Sequence, residues 1–378
     1  MRIIHIHTDK KFIADSLNFA NATFDNLNII IQKNGVETTE ENKSNLIYFN
    51  INEFEKIVDF CSAADLVVLY SLDIIKSQIA LRIPNSVKVG WRFFGVELYG
   101  KKHMEFVSYL TFKYGYDLKD KIRFKLRKYS FFRTADRLLR SKIDKDSLFS
   151  NAVKRINYIF IISDEEYNFI KKTWPNLPKY IKLPHTYAFF KSNQKIKKNN
   201  LAKPQIVIGN SRGIYNNHID VIDLIEKYST KRNYIFTLLF NYGKLSIYTN
   251  HIVNKTKNKS YYNLIKNFLT KEEFLNFYEN PSALVINSYR QLAWDNIRTA
   301  IKNGLKIYLN DKNVHKDFLV NNGFKIFSID DFEIDLKENN LGFDGELAEH
   351  NLKTFETFSR SYTKDDFQKK LIEDIIKN

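Results

Sequence analysis

The apolar residues of this chain form short runs that alternate with helical stretches, and the alternation occurs twice along the sequence. In the first half, runs bounded by polar or turn-forming residues predict strands at 2–8, 28–32, 46–51, 64–71, 86–94 and 156–163. In the second half, the pattern predicts strands at 205–211, 233–243, 282–288, 305–310 and 325–329, and helices at 217–229, 261–268, 271–279 and 291–303. Strands that alternate with helices favour mostly parallel sheets, so the predicted fold class is α/β.

A polar and basic stretch at residues 191–204 separates the two halves and offers little to bury. We interpret it as a linker between two Rossmann-like domains, at 1–190 and 205–350. Residues 351–378 have an amphipathic pattern and are predicted to form a C-terminal helix that can pack back on the first domain. A chain of 378 residues is too long for one ordinary domain and fits two or three.

Composition excludes several classes of protein. Hydrophobic residues make up 44% of the chain, so packed cores are expected rather than disorder. The single cysteine, Cys61, excludes a disulfide framework and gives no metal-ligand spacing, which fits a reducing compartment. No apolar run reaches the roughly 18 residues of a membrane span, and the first residues lack a signal-peptide pattern, so neither is expected.

The formal net charge of +16 indicates anionic partners, such as nucleic acid, anionic lipid or a phosphorylated substrate. An insert at 110–145 interrupts the α/β alternation and interleaves basic with aromatic and aliphatic residues, as in a helix that lies on an anionic membrane. A solvated helix packed on the first domain is a second interpretation. Nucleic-acid binding is a third, although no nucleic-acid-binding motif is present. The basic residues of the insert include Lys121, Arg123, Lys125, Arg127, Lys128, Arg133, Arg137, Arg140 and Lys142.

The segment 209–218 combines the features of a phosphate-binding loop. Gly209 permits close approach of the backbone, and the start of the next helix offers N–H groups to phosphate oxygens. Ser211 adds a hydroxyl donor, and Arg212 adds a guanidinium that can bind a pyrophosphate through two hydrogen bonds. A plain strand–turn–helix with an asparagine N-cap is the alternative, because neither a P-loop nor a G-x-G-x-x-G pattern is present.

A second loop follows the strand at 282–288, where Arg290 and Gln291 should emerge at the same sheet edge as Gly209. Two such loops in one domain can hold the two halves of a nucleotide sugar. The predicted donor site consists of Gly209, Asn210, Ser211, Arg212, Asn217, His218, Tyr242, Ser288, Tyr289, Arg290, Gln291 and Asn296.

The segment 88–102 of the first domain is rich in aromatic residues and glycines. Glu97 lies within it, and a carboxylate in an apolar loop can act as a general base; a surface glutamate beside a turn is the alternative. The further candidates on the acceptor side are His7, Trp91, Arg92, Gly95 and His185. The two histidines are equally compatible with buried, hydrogen-bonded side chains.

Three motifs taken together resemble the 4-acetamido-4,6-dideoxygalactose (Fuc4NAc) transferases of enterobacterial common antigen synthesis, also described as 4-alpha-L-fucosyltransferases. The first is W-x-x-x-G-x-[DE]-L-Y, carried by Trp91, Gly95, Glu97, Leu98 and Tyr99. The second is G-N-S-x-x-x-x-N-x-H-like, carried by Gly209, Asn210, Ser211, Asn216 or Asn217, and His218. The third begins R-Q and ends G-x-K-x-x-L-N, carried by Arg290, Gln291, Gly304, Lys306, Leu309 and Asn310.

The resemblance implies a GT-B fold, with two Rossmann-like domains that face each other across a cleft. It implies a hexosyltransferase that moves a deoxy or acetamido sugar, such as fucose or Fuc4NAc, from a dTDP-linked donor without a metal or other cofactor. The implied acceptor is a saccharide on undecaprenyl pyrophosphate, or another cell-surface polysaccharide, at the cytoplasmic face of the inner membrane. Glu97 takes the family's acidic position, and Gly209 to Arg212 with His218 take its donor loop.

By this interpretation the protein is cytoplasmic and peripheral on an anionic membrane, and nucleic acid is not a partner. Two alternatives stay open. One is a GT-B transferase with a soluble acceptor, and the other is a non-catalytic protein that binds a nucleotide or nucleic acid.

Overall fold

The computed structural model describes residues 1–19, 23–32, 45–126, 145–185 and 203–376. The chain divides into two compact units, each assembled from separate stretches of sequence. The first unit contains Met1–Lys101, Thr134–Phe190 and Ser359–Asn378, and the second contains Lys102–Arg133 and Lys191–Phe358. Each unit is built on one parallel sheet.

The sheet of the first unit has seven strands in the order β3-β2-β1-β4-β5-β6-β7. In chain order these are β1 (Arg2–His7), β2 (Asp25–Gln32), β3 (Leu46–Asn50), β4 (Leu66–Tyr70), β5 (Lys88–Arg92), β6 (Tyr158–Ile161) and β7 (Lys179–Lys182). All neighbouring strands are parallel. The chain moves outward from β1 to β3 and then returns to pair β4 with β1, so the strand order reverses between β1 and β4.

The sheet of the second unit has five parallel strands in the order β10-β9-β8-β11-β12. In chain order these are β8 (Gln205–Ile208), β9 (Ile235–Leu239), β10 (Tyr262–Ile265), β11 (Ala283–Ile286) and β12 (Lys306–Leu309). Its strand order reverses between β8 and β11. Strands β8, β11 and β12 are almost entirely buried, as expected of parallel strands covered by helices on both faces.

Helices connect the strands and cover both sheets. In chain order these are α1 (Phe54–Cys61), α2 (Ile74–Arg82), α3 (Val96–Tyr99), α4 (Tyr109–Gly115), α5 (Leu118–Leu126), α6 (Lys145–Arg155), α7 (Asp164–Thr173), α8 (His218–Glu226), α9 (Ile247–Thr256), α10 (Lys271–Phe277), α11 (Trp294–Lys302), α12 (Val314–Asn321), α13 (Ile329–Lys337), α14 (Gly345–Ser361) and α15 (Lys364–Ile376). A 3₁₀ helix at Lys10–Phe19 follows β1.

The C-terminal helix α15 packs in the core of the first unit. The ring of Phe367 is fully buried and meets Phe19 edge-on at 5.1 Å between centroids. It also contacts Phe160 of β6, at 6.1 Å. Residues from the start, middle and end of the sequence therefore share one aromatic cluster.

Two segments differ from the predicted secondary structure. Residues 261–268, predicted to be helical, contain the edge strand β10, which pairs with β9. Their apolar residues fit a helical period as well as a short strand, so the pairing with β9 decides between the two. Residues 325–329, predicted to form a strand, contribute only an isolated bridge between Phe327 and Tyr308. The short edge strand β7 was not predicted.

The basic insert also differs from expectation. It was assigned to the first domain, but Lys102–Arg133 group with the second unit. Leu110 and Tyr114 of α4 pack against the core of that unit, and the Tyr114 ring stacks on His251 of α9 at 4.7 Å. Of the predicted insert, residues 127–144 lie outside the described residues. No helix in the described part of the chain is long and apolar enough to cross a membrane.

Replacing Phe367 by alanine should destabilise the protein, because it removes a buried ring and leaves a cavity between Phe19 and Phe160. We expect the free energy of unfolding to fall by about 3–5 kcal/mol, measured by urea denaturation followed by circular dichroism. The control is Phe268→Ala, since 77% of the Phe268 surface is exposed. Equal stability of the two variants would show that α15 contributes no packing to the core.

Candidate active site

The two predicted donor loops lie side by side, because they follow the strands at which the second sheet reverses its order. Strands β8 and β11 are parallel neighbours, with Ile208 opposite Val285. The Gly209 N–H continues this pairing and donates to the Val285 carbonyl at 2.9 Å. In open α/β sheets, ligands bind in the crevice at such a reversal, outside the carboxyl ends of the strands.

The first loop is held by a buried asparagine. The Oδ1 of Asn216 accepts from the Asn210 N–H at 3.1 Å, and its Nδ2 donates to the Ser211 carbonyl at 3.1 Å. Gly209 has a φ of +69°, in the left-handed region that favours glycine. The backbone from 209 to 213 is therefore fixed before any ligand arrives.

Arg212 lies beside the loop that follows β9. Its N–H donates to the Tyr242 carbonyl at 3.0 Å, and its guanidinium donates to the Asn241 carbonyl at 3.0 Å. Its Nε has no hydrogen-bond partner among the described residues. Tyr242 is half exposed at the same sheet edge. Two predicted donor-binding residues thus meet there, a cation and an aromatic ring.

Asn217 connects three segments of the second unit. Its side chain is fully buried, and its backbone is left-handed with a φ of +48°. Its Nδ2 donates to the carbonyls of Phe106 (3.3 Å) and Asn287 (3.1 Å), while its Oδ1 accepts from the Ser108 N–H (2.9 Å). Since this amide is committed within the protein, it positions the loops rather than facing a ligand.

His218 is buried beneath Gly209 and is neutral. Its backbone N–H donates to the Tyr248 hydroxyl at 2.9 Å, and the same hydroxyl lies 2.8 Å from its Nδ1. The hydroxyl has one hydrogen and no other acceptor among the described residues, so Nδ1 accepts it and the ring hydrogen lies on Nε2. Burial lowers the pKa of His218 to about 3. The imidazole packs directly against the loop backbone, since a Cβ built on Gly209 would lie only 2.3 Å from Nε2.

The two helices that start at this edge have no side-chain N-caps. Helix α8 begins after Asn217 and α11 begins after Ala293, whose φ is +65°, and neither residue caps its helix with its side chain. By contrast, Ser246, Thr270 and Ser328 cap other helices of the unit. The first N–H of α8, that of His218, already donates to Tyr248, so the uncapped start of α11 is the one at which N–H groups and the helix dipole favour an anion.

The second loop places its cation on an aromatic ring. The guanidinium of Arg290 lies 4.6 Å from the centroid of Tyr215, and Lys312 lies 4.4 Å from that of Tyr289. The Ser288 hydroxyl is buried and donates to the Arg290 carbonyl at 3.0 Å. Gln291 is partly exposed.

Asn296 behaves differently from the expectation for a donor-binding side chain. Its Nδ2 donates to the Tyr278 hydroxyl at 2.9 Å, and the residue is buried. Asn296 therefore anchors the first turn of α11 to α10.

Glu97 lies at the carboxyl edge of the first sheet, after β5. Its Oε1 accepts from the Leu72 N–H at 3.1 Å and from Trp91 Nε1 at 3.2 Å. Its Oε2 is buried and has no partner among the described residues. In this conformation Oε1 is committed within the protein and Oε2 is shielded from solvent.

The other acceptor-side candidates are largely structural. Trp91 is fully buried, and Arg92 pairs with Asp15 at 3.1 Å, both nearly inaccessible to solvent. Gly95 has a φ of +93° and forms the turn before α3.

The two histidine candidates are also buried. His7 Nε2 lies 3.0 Å from Asn28 Oδ1, and burial lowers the pKa of His7 to about 4. His185 follows β7, three strands and therefore about 14 Å from β4, on the far side of β4 from the reversal. Within the described residues no group of histidine, cysteine, aspartate or glutamate side chains can hold a metal ion.

Three contributors to the site were not predicted. The Tyr215 ring packs against the Arg290 guanidinium. The Oδ1 of Asn287 accepts a hydrogen bond from the Nδ2 of Asn310 at 2.7 Å, which stabilises the second loop. Asn287 lies inside the strand predicted at 282–288 but directly follows the observed strand β11, so a prediction that ended the strand two residues earlier would have placed it in the loop. Residues 106–108 give no such signal, because they lie more than a hundred positions before Asn217 in the sequence.

No protein-family model and no curated protein sequence matches this chain. Several solved structures of other proteins do match this chain. HepE from Anabaena in complex with UDP and glucose superposes with a TM-score of 0.64 at 10% identity, covering 100% of both chains. Sucrose-phosphate synthase from Thermosynechococcus elongatus gives 0.62 at 8% identity, covering 100% of this chain and 98% of that one.

An alpha-glucosyltransferase in complex with UDP-glucose and DNA containing an abasic site gives a TM-score of 0.59 at 15% identity, covering 100% of this chain and 99% of that one. At these identities the likeness concerns the fold. The chain has the GT-B fold of glycosyltransferases, whereas membership of the Fuc4NAc transferase family stays a prediction.

Substituting alanine for Gly209 should disable the donor loop. The new Cβ would meet the His218 imidazole at 2.3 Å, and alanine at a φ of +69° adds about 1–2 kcal/mol of backbone strain. We expect a lower melting temperature and loss of any stabilisation by UDP. The matched control is Gly100→Ala, since nothing lies within 4 Å of a Cβ there. If UDP stabilises both variants equally, the loop is not part of a nucleotide site.

Proposed function

We propose that this chain is a glycosyltransferase that takes a sugar from a nucleoside diphosphate donor bound at the carboxyl edge of the second sheet. One observation carries the proposal. Helix α11 begins without a side-chain cap at the reversal between β8 and β11, and Arg212 and Arg290 lie in the loops that follow these two strands. Hydrogen-bond donors and cations meet where a diphosphate would lie.

This arrangement suits the chemistry of glycosyl transfer. As the bond between the anomeric carbon and the diphosphate oxygen breaks, its electron pair stays on the diphosphate. The growing negative charge is stabilised by donors that are already oriented, here the guanidinium of Arg212 and the first N–H groups of α11. The acceptor hydroxyl bonds to the anomeric carbon and gives up its proton to a base, for which Glu97 is our candidate.

The identity of the donor is a finer part of the proposal. Two of the similar structures contain UDP or UDP-glucose, which supports a uridine nucleotide. The motif resemblance implies a dTDP-linked deoxysugar instead. Both pyrimidine nucleotides present the same diphosphate to Arg212, so the nucleotide pocket must be tested with each.

Arg212→Ala should weaken use of the donor, because one cation that stabilises the leaving diphosphate is lost. We expect roughly 2–4 kcal/mol less transition-state stabilisation, or on the order of a hundredfold lower kcat/KM for release of UDP from UDP-glucose.

The melting temperature of the wild type should rise with UDP or dTDP and not with CMP or ADP. Glu97→Gln should keep this nucleotide shift and lose turnover.

Three results would each contradict part of the proposal. If no nucleotide stabilises the wild type, the second sheet does not carry a donor site. If Arg212→Ala retains full kcat/KM, Arg212 lies outside the site, and full turnover of Glu97→Gln would assign the base to another residue.

For the acceptor, we propose a lipid-linked or cell-surface saccharide at an anionic membrane. Leu118, Ile122 and Leu126 recur every four residues on α5, and 73%, 49% and 36% of their respective surfaces are exposed. Lysines lie on both sides of this apolar stripe: Lys119, Lys121 and Lys125. An apolar face bordered by cations suits the interface of an anionic bilayer.

Nucleic acid is the second candidate acceptor. The net charge of +16 favours any polyanion, and similar structures of alpha-glucosyltransferase contain DNA. A nucleic-acid acceptor would be bound mainly through phosphate contacts, so its affinity would fall steeply with salt.

Flotation with vesicles separates these acceptors. The wild type should float with vesicles that contain phosphatidylglycerol, and the double variant Leu118→Glu/Ile122→Glu should not. The control is Val320→Glu, at a 47% exposed position on α12. Absence of flotation, together with salt-sensitive binding of a double-stranded oligonucleotide, would replace the membrane acceptor by nucleic acid.

A further inference from the structure

A charged cluster lies at the reversal of strand order in the first sheet, between β1 and β4. Its members are Thr8, directly after β1, Asp73, three residues after β4, and Lys76 in the first turn of α2. The Lys76 ammonium donates to Asp73 Oδ2 at 2.6 Å and to Thr8 Oγ1 at 2.8 Å. The site predicted from the sequence contains none of these residues, although Thr8 ends the first predicted strand, and the donor site of the second unit does not use them.

The hydrogen bonds within the cluster show what kind of group it can still bind. Asp73 Oδ1 accepts from the Lys76 backbone N–H at 2.9 Å, and Oδ2 accepts from Lys76 Nζ and from the Thr8 hydroxyl, at 3.3 Å. A carboxylate offers about four acceptor positions, so about one is left. The Thr8 oxygen donates once and accepts once, which leaves it one more lone pair. The remaining capacity of Asp73 and Thr8 therefore accepts hydrogen bonds, whereas the third ammonium hydrogen of Lys76 is buried with its side chain.

Exposure indicates which member of the cluster a ligand can reach. The Lys76 side chain is fully buried, whereas 39% of the Asp73 side chain is exposed. Thr8 is exposed as well. An anion cannot reach the ammonium, but a hydrogen-bond donor can reach the carboxylate and the hydroxyl. A neutral ligand rich in hydroxyl groups matches this surface.

The buried lysine has no evident role in stability alone. Taking an ammonium out of water is costly, and a buried ion pair is often no more stabilising than apolar side chains of similar size. Asp73 would cap α2 without it, as Ser163 caps α7. What Lys76 adds is one fixed orientation of the Asp73 carboxylate and a hydrogen bond to Thr8, which follows another strand.

The neighbouring groups at this edge also suit a sugar. The Leu72 N–H donates to the Glu97 carboxylate, and Asp73 is the next residue in the chain. Two carboxylates therefore lie at this edge of the sheet. The rings of Phe12 and Phe94 are partly exposed and stack on each other at 4.1 Å, after β1 and β5 respectively. Apolar ring faces beside hydrogen-bonding groups are typical of sites that bind small polar ligands.

We propose that Thr8, Asp73 and Lys76 form a binding subsite for the hydroxyl groups of a sugar. Asp73 accepts a hydrogen bond from one sugar hydroxyl, Thr8 accepts one from a second hydroxyl, and Lys76 is a positioning residue that holds the Asp73 carboxylate in one orientation. The assignment of this sugar as the acceptor rests on the proposed function, whereas sugar binding by the cluster does not.

Saturation-transfer NMR on the full chain tests the proposal with methyl glycosides of glucose, galactose and fucose as probes, each with and without UDP. The wild type should transfer saturation to at least one glycoside. Asp73→Asn and Thr8→Val should weaken that binding at least tenfold. The matched control is Asp59→Asn, which removes an exposed carboxylate on α1 of the same unit.

Asp73→Asn leaves a buried ammonium without its partner and can unfold the first unit. Lys76→Met avoids this, because it removes the buried charge and keeps the apolar stem. Its melting temperature should stay within a few degrees of the wild type, and its glycoside affinity should still fall at least tenfold. A purely structural role of the cluster would lower the melting temperature and leave the affinity unchanged.

The outcomes separate this proposal from the proposed function. If UDP binds and no glycoside does, the subsite is wrong and the donor site stands. Glycoside binding that is equal in the wild type, Lys76→Met and Asp73→Asn places the sugar elsewhere and also overturns the subsite. If glycosides bind through Asp73 and UDP does not, the subsite stands and the transferase proposal falls. If neither binds, both are overturned.

Discussion

The donor edge of the second unit depends on the buried side chain of Asn217. This one amide joins the start of α8, the loop after β11 and the segment at Phe106–Ser108. Asparagine suits the position twice, because it tolerates a left-handed backbone and carries both a donor and an acceptor. Aspartate could not donate, and glycine could not connect the segments. The uncapped start of α8 and the geometry of loop 209–213 follow from this connection.

The two sheets share the same kind of reversal but present opposite hydrogen-bonding character there. In the second unit, the groups at the reversal are donors and cations, namely the first N–H groups of α11 and the guanidinium of Arg212. In the first unit they are acceptors, namely the Asp73 carboxylate and the Thr8 hydroxyl. An edge rich in donors suits an anionic leaving group, and an edge rich in acceptors suits hydroxyl groups. One architecture thus serves two ligand chemistries through the residues that follow its strands.

Much of the fold could be predicted from the sequence, because parallel strands covered on both faces require continuous apolar runs. That requirement located β1, β4, β8 and β11, and the carboxyl ends of these strands located both donor loops. Local patterns failed where distant contacts decide. Strand β10 exists because it pairs with β9, and the insert joins the second unit through Asn217. Burial of His218 was equally hidden, since no local feature shows that it lies beneath Gly209.

The discontinuous make-up of both units has a consequence for synthesis on the ribosome. The first unit includes Phe367 near the end of the chain, and the second includes residues translated before β8. Neither unit can therefore complete its core before nearly all of the chain has emerged. Domains usually fold one after another as they are made. Helix α4 is synthesised before the sheet on which it packs, so Leu110 and Tyr114 stay exposed to solvent until that sheet forms. Binding of a chaperone to these apolar side chains would protect the chain most during this interval.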